Sequence, residues 1–167
     1  MNARGTDIVR AEIALHLAAL WRYGLVLSRS RQTAEDLVQA TCVRALERGH
    51  QFQPGTRLDR WLFAILRSIW LNDLRARRSR EGQGTDEAEK VLVFDGAKAL
   101  ETNITASRVL KEVQGLPEAQ RETVFLVYVE GLTYAEAADA LAIPIGTVMS
   151  RLAAARARLA VLNDGGG

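Results

Sequence analysis

Three arginines near the end of the chain, Arg151, Arg156 and Arg158, stand among the short side chains Thr147, Ser150 and Ala154. That mixture suits the reading of duplex nucleic acid, because guanidinium groups bond phosphates and guanine edges while short neighbours let the backbone approach the bases. A second basic run, Arg67, Arg75, Arg77, Arg78 and Arg80, has Trp70 and Asn72 interleaved. Arginines track the phosphates of a single strand, and planar groups stack on or pocket an extruded base. Each stacked base contributes roughly 1–3 kcal/mol. Trp61, by contrast, reads as core.

Catalytic chemistry is not suggested anywhere in the chain, which carries no carboxylate cluster and no nucleophile constellation. With only His16 and His50 there is no ligand set at zinc spacing, so neither a metal nor another cofactor is expected. The single Cys42 cannot close an internal disulfide and reads as a small buried helix residue.

The elements that carry the C-terminal arginines are well marked. Thr133 is followed three residues later by Glu136, the spacing of a capping box, so a helix starts there. Tyr134, Ala137, Ala138 and Leu141 fall on one helical face, and the run Ala142-Ile143-Pro144-Ile145 ends it near Leu141. A second helix begins around Gly146 or Thr147 on an apolar stripe of Val148, Leu152, Ala155 and Leu159. Two short helices, a tight turn and an outward face that is short, polar and basic make a helix-turn-helix. Upstream, residues 106–116 resume helical periodicity, Pro117 opens a further helix, and Gly131 closes it.

The first half is also helical. Apolar residues recur from Thr6 to Leu27 as in one long helix broken near Gly24. A helix capped by Thr33 follows, with Glu35 and Asp36 in its first turn and Leu37, Cys42, Ala45 and Leu46 turned inward. After a Pro54-Gly55 loop, Leu58, Trp61, Leu62, Ile65, Leu66 and Ile69 define the buried stripe of the helix that becomes arginine-rich.

The formal charge of +2 conceals an asymmetry. Residues 1–80 hold 14 arginines against 7 acids, residues 81–105 hold 2 lysines against 6 acids, and residues 106–167 hold 6 basic residues against 7 acids. The first half should therefore attract a polyanion. The acidic segment between the halves, with its glycines, reads as a linker whose apolar patch, Val91 to Phe94, can fold back on either side. Some 25 flexible residues have an r.m.s. span near ~27 Å and a stretched reach of roughly 80 Å, enough to cover two turns of duplex. The early apolar stretch is interrupted by His16 and Arg22, so a cytoplasmic protein without membrane insertion is expected.

These features come together in a resemblance. GLTYAEAADALAIPIGTVMSRLAAARARL, with LPEAQRETVFLVYVE before it, resembles the promoter-reading C-terminal domain of the extracytoplasmic-function (ECF) sigma factors of bacterial RNA polymerase. FQPG through WLFAILR and NDLR is similar to the family's segment that recognises and melts the −10 promoter element, and AEDLVQ to its polymerase-docking segment. Together the matches cover about 110 of the 167 residues in the family's order. Two positions depart from the pattern. Met149 stands where a lysine or arginine is usual, and Ser68 where asparagine is usual.

The resemblance implies an all-α chain of two small helical domains, residues 1–80 and 105–162, with a linker over 81–104; the run Asn163-Asp164-Gly165-Gly166-Gly167 reads as a disordered tail over 163–167. It implies docking on core RNA polymerase, at the β′ clamp helices through Glu35, Asp36, Leu37, Val38 and Gln39, and at the β flap. It implies −10 contacts from Arg67, Ser68, Trp70, Asn72, Arg75, Arg77 and Arg78, and −35 promoter DNA contacts from Thr147, Met149, Ser150, Arg151, Ala154, Arg156 and Arg158. It further implies an anti-sigma factor as partner, in a stress or envelope response. Two other classes remain open at this stage: a sigma mimic that captures an anti-sigma factor without binding DNA, and a stand-alone helix-turn-helix regulator.

Overall fold

The computed structural model describes residues 2–81 and 111–164, with side chains placed as far as residue 160. Among the described residues the elements are helical throughout, as the sequence leads one to expect. The expected linker, the Val91–Phe94 patch and the start of the helix over 106–116 lie outside the described residues, except for a helical turn at 111–114. The chain divides into two compact units, and each is described by itself.

In the first unit, α1 (Ala3–Glu12) runs through a 3-10 turn (Ile13–His16) into α2 (Leu17–Ser28). The expected break near Gly24 is therefore misplaced. Gly24 is helical, and it is glycine because a Cβ there would stand 3.0 Å from the Cα of Ala34, where α2 crosses the next helix. The 3-10 turn re-phases the chain, so that Val9 of α1 and Leu20 and Tyr23 of α2 are all fully buried.

Arg29 adopts a left-handed conformation at the end of α2, and α3 (Arg31–Glu47) begins at Ser30, not at Thr33. The Ser30 hydroxyl accepts the Thr33 N–H at 3.2 Å, because Ser30 has the extended backbone that a cap requires while Thr33 already lies inside the helix. Leu37 and Ala45 face inward as expected; Leu46 does not, being 42% exposed, and Cys42 is half-buried. Thr41 takes the inward position instead, donating its hydroxyl proton to the Leu37 carbonyl at 2.6 Å. Burial pushes the Cys42 thiol pKa up, away from thiolate chemistry.

A 3-10 turn (Gly49–Gln51) leads to α4 (Leu58–Arg80). Leu58, Leu62, Leu66 and Ile69 are buried as the periodicity predicts, joined by Phe63, whose ring meets that of Tyr23 edge to face at 5.3 Å. Helix α3 packs between α2 and α4, and α1 packs on the Gly49–Gln51 turn. Arg77, Arg78 and Arg80 fill the last turn of α4, where positive charge complements the helix dipole.

Asp59 sits in the first turn of α4, bonded by Arg57 Nη2 at 2.7 Å and Nε at 3.1 Å and by the Arg60 N–H at 2.8 Å. Partial burial alone would raise the Asp59 pKa, but the bonds from Arg57 and Arg60 and the charges of Arg57 and His16 bring it below its ordinary value. A carboxyl lowered in the folded state contributes stability above its unfolded pKa and loses that contribution as pH falls through the folded one. Asp59→Asn is accordingly expected to lower stability by about 0.5–1 kcal/mol at neutral pH, a difference that shrinks as the pH falls through the lowered folded-state pKa of Asp59. Urea unfolding of the parent and variant across pH 2–7 checks the sign.

In the second unit, α5 (Glu118–Val124) follows Pro117 and passes into a π-helical turn (Phe125–Val129). Two helices complete it: α6 (Tyr134–Leu141) and α7 (Ile145–Asp164). Helix α7 packs on both α5 and α6. It extends through residues 163 and 164, so the expected tail is helical that far. Buried Arg121 donates to the Leu116 carbonyl at 3.1 Å, fastening the chain before α5 to the helix. No single helix among the described residues is long and apolar enough to cross a membrane.

Candidate nucleic-acid interface

Helices α6 and α7 meet at 105°, within the range of a helix-turn-helix. The capping box forms in full: the Glu136 N–H donates to the Thr133 hydroxyl at 3.1 Å, and the Thr133 N–H to the Glu136 carboxylate at 3.0 Å. Helix α6 stops because Ala142 adopts the left-handed conformation at φ 53°. Pro144 then starts α7, its carbonyl accepting the Thr147 N–H at 3.0 Å. The helix thus begins at Ile145, one residue before the expected start.

Val148, Leu152 and Ala155 are buried, and Leu159 is half-buried, so the apolar stripe of α7 faces its own unit. That fixes the opposite face. Met149, Ser150, Ala154, Arg156 and Arg158 are exposed, and Thr147 and Arg151 are half-buried beside them. Tyr134, expected on the buried face of α6, is 37% exposed and belongs to this surface instead.

Arg156 is held in place. Its Nη1 donates to the Tyr128 hydroxyl at 2.7 Å, and bonding to Tyr128 first and Tyr134 second raises the guanidinium pKa above its ordinary value. Tyr128 reaches it because the π-helical turn rotates the chain after the buried Phe125 and Leu126 and leaves Tyr128 54% exposed. No sequence periodicity marks this tyrosine as part of the surface; only the added residue per turn does so.

On the first unit, Ser68, Asn72 and Arg75 share an exposed face of α4 with Arg78 flanking it, Arg67 is half-buried, and Arg77, also exposed, lies half a turn away near the helix end. Trp70 is not among them. It is only 6% exposed, half a helical turn away from the face shared by Ser68, Asn72 and Arg75, so its expected availability to a base is corrected. Trp61, expected in the core, lies on that shared face, half-buried with its ring 5.4 Å from that of buried Phe52, so it packs on the core and is partly open to solvent.

Glu35, Asp36 and Gln39 stand exposed along α3, and Val38 is half-buried. Leu37 is 2% exposed and belongs to the core; its expected polymerase contact is corrected on that ground, since its side chain supports the face from beneath. Val43 and Leu46, at 57% and 42% exposure, extend the outward side of α3; Val43 was not singled out from sequence, and Leu46 was expected to face inward.

A helix-turn-helix unit joined to a separate helical unit with an arginine-rich helix defines a class of transcription proteins that read promoter DNA. Residues 13–80 match the family model for sigma-70 region 2, and residues 106–159 that for sigma-70 region 4. The chain is 34% identical over 157 residues to the ECF RNA polymerase sigma factor EcfG of Rhodopseudomonas palustris, covering 94% of this chain and 86% of that one. It is likewise 34% identical over 145 residues to a probable RNA polymerase sigma-C factor of Mycobacterium bovis, covering 87% and 76%. Its fold matches the sigma factor RpoE of Bartonella quintana, solved in complex with the anti-sigma factor NepR, with a TM-score of 0.73, 29% identity and coverage of 95% and 98%. It also matches CnrH, solved with the cytosolic domain of CnrY, at a TM-score of 0.68 and 25% identity, covering 99% and 96%. The chain belongs to the ECF sigma factors of RNA polymerase, the subunits that direct polymerase to chosen promoters and so initiate transcription.

Proposed function

We propose that the two units divide promoter recognition between them, residues 1–80 acting at polymerase and the −10 element and residues 105–162 at the −35 element. The observation that carries this reading is the pair of basic helical faces, one on α4 and one on α7, each fixed by a buried stripe on its other side. On α7, Thr147, Met149, Ser150 and Ala154 line the major-groove side, and Arg151, Arg156 and Arg158 reach the phosphates or guanine edges. On α4, Arg67, Arg75, Arg77 and Arg78 follow the separated strand. Ser68 and Asn72 offer hydrogen bonds to an unpaired base, with Trp61 replacing Trp70 as the aromatic beside them. Trapping an extruded base offsets a few kcal/mol of unstacking and so holds the duplex open.

Glu35, Asp36, Val38 and Gln39 on α3 form the surface for the β′ clamp helices, and the second unit meets the β flap. The likeness to the sigma factor RpoE, solved in complex with the anti-sigma factor NepR, supports control by such a protein; on this reading the chain acts in the cytoplasm in a stress or envelope response. Asp36→Lys is expected to weaken binding to core polymerase by at least about tenfold through like-charge repulsion and a lost contact. Fluorescence anisotropy with labelled full-length protein measures it, and unchanged binding would remove Asp36 from the docking surface.

Transcription in vitro with purified core polymerase and genomic DNA fragments tests the whole reading. Discrete new start sites that share elements upstream are expected. If the folded protein gave none, it would instead be a mimic that captures other proteins.

A further inference from the structure

Two large apolar side chains stand uncovered at the start of the recognition helix: Ile145, 49% exposed, and Met149, 52% exposed. They lie four residues apart on one face of α7, and exposed Ala153 continues the row one turn further. These are the first two turns of the second helix of a helix-turn-helix, the part that reaches base edges. Two polar groups nearby already hold a partner within the protein. The Ser150 hydroxyl proton goes to the Thr147 carbonyl at 3.1 Å, and Arg156 is bonded to Tyr128. Gly146 meets nothing within 4 Å where a side chain would be, so the backbone between Ile145 and Met149 also has an open approach.

Of the groups on base edges in the major groove, the thymine C5-methyl is the one that an apolar side chain recognises. A methionine is long and adaptable enough to cover such a methyl, and an isoleucine stiff enough to bound its pocket. We infer that Met149 and Ile145 make this protein's −35 recognition depend on thymine methyl groups, with Met149 reading a T·A pair where a basic residue would read guanine. This rests on the assignment of α7 to the −35 major groove and deepens it by naming the chemical feature read. Continuity of the apolar pair with the arginine-bearing face of the same helix selects DNA as its occupant over a protein.

The test uses the full-length protein with core polymerase on a promoter found by start-site mapping, rebuilt from synthetic strands. Deoxyuridine replaces each −35 thymidine singly, which removes only the methyl group. Initiation is expected to fall about fourfold for each methyl covered. Met149→Ala should abolish that thymidine-to-deoxyuridine difference at one base pair while −10 dependence persists, and Met149→Arg should move the preference at that pair toward G·C. Equal initiation on thymidine and deoxyuridine templates, or a −35 element with no required T·A pair, overturns this inference and leaves the sigma-factor reading standing. Absence of any −35-dependent initiation overturns the assignment of α7, and this inference with it.

Discussion

Replacing Arg151 and Arg156 together with alanine is expected to lower initiation from −35-dependent promoters by about a hundredfold while leaving affinity for core polymerase within about twofold of the parent. The magnitude follows from two arginine contacts of roughly 1–3 kcal/mol each. Arg156 carries the larger share because it is already oriented: its bond to Tyr128 limits the side-chain freedom it would otherwise lose on binding. Tyr128→Phe should for the same reason cost a few-fold in initiation, although the phenyl ring keeps its place. If phosphate contact is the role, the double variant also flattens the salt dependence of promoter binding by about two units of slope. Initiation assays and polymerase-binding titrations on the same preparations separate the effects. Equal loss of both activities would show that the two units do not divide the work.

Gly5→Ala is expected to destabilise the first unit by about 3 kcal/mol, more than a surface substitution produces. Helix α1 lies so close to the Gly49–Gln51 turn that a methyl group at Gly5 would collide with the carbonyl oxygens of Phe52 and Gly49, the latter at 2.6 Å. Those are backbone atoms, so no side-chain rotation relieves the clash. Asn2 fixes the same approach from the other side, its Oδ1 accepting the Gly5 N–H at 3.1 Å and its Nδ2 donating to the Phe52 carbonyl at 3.0 Å. Thermal unfolding of the full chain should show the first transition lowered by roughly 12–24 °C, given about 4–8 °C per kcal/mol for a unit of this size. An unchanged transition would mean that α1 does not contribute to the stability of the first unit. Polymerase binding at low temperature should survive, because α1 contributes none of the proposed docking residues.

For an ECF sigma factor, much of the architecture is written locally. The capping box at Thr133 and Glu136, the stop at Leu141, and the buried stripe of Val148, Leu152 and Ala155 depend on contacts within a few residues or on a 3.6-residue period. So does the helical period that carries the arginine-rich continuation of α4. From these the sequence by itself determined an all-helical chain, a helix-turn-helix, and two basic faces.

What escaped the sequence involves a choice between two faces that local pattern leaves equivalent, or a contact between distant segments. Trp61 and Trp70 are both tryptophans on one helix; which is buried depends on where α2 and α3 cross α4. Gly24 reads as a helix break until Ala34 is packed against it, and Gly5 reads as nothing until Gly49 and Phe52 approach. Leu46 is exposed against expectation and Thr41 is buried because packing across α3 is set by its neighbours rather than by hydrophobicity alone. The bond between Tyr128 and Arg156 joins residues 28 apart through an irregular turn. Only the tertiary structure decided these, because burial and close approach belong to pairs of elements, whereas helical period and capping belong to one.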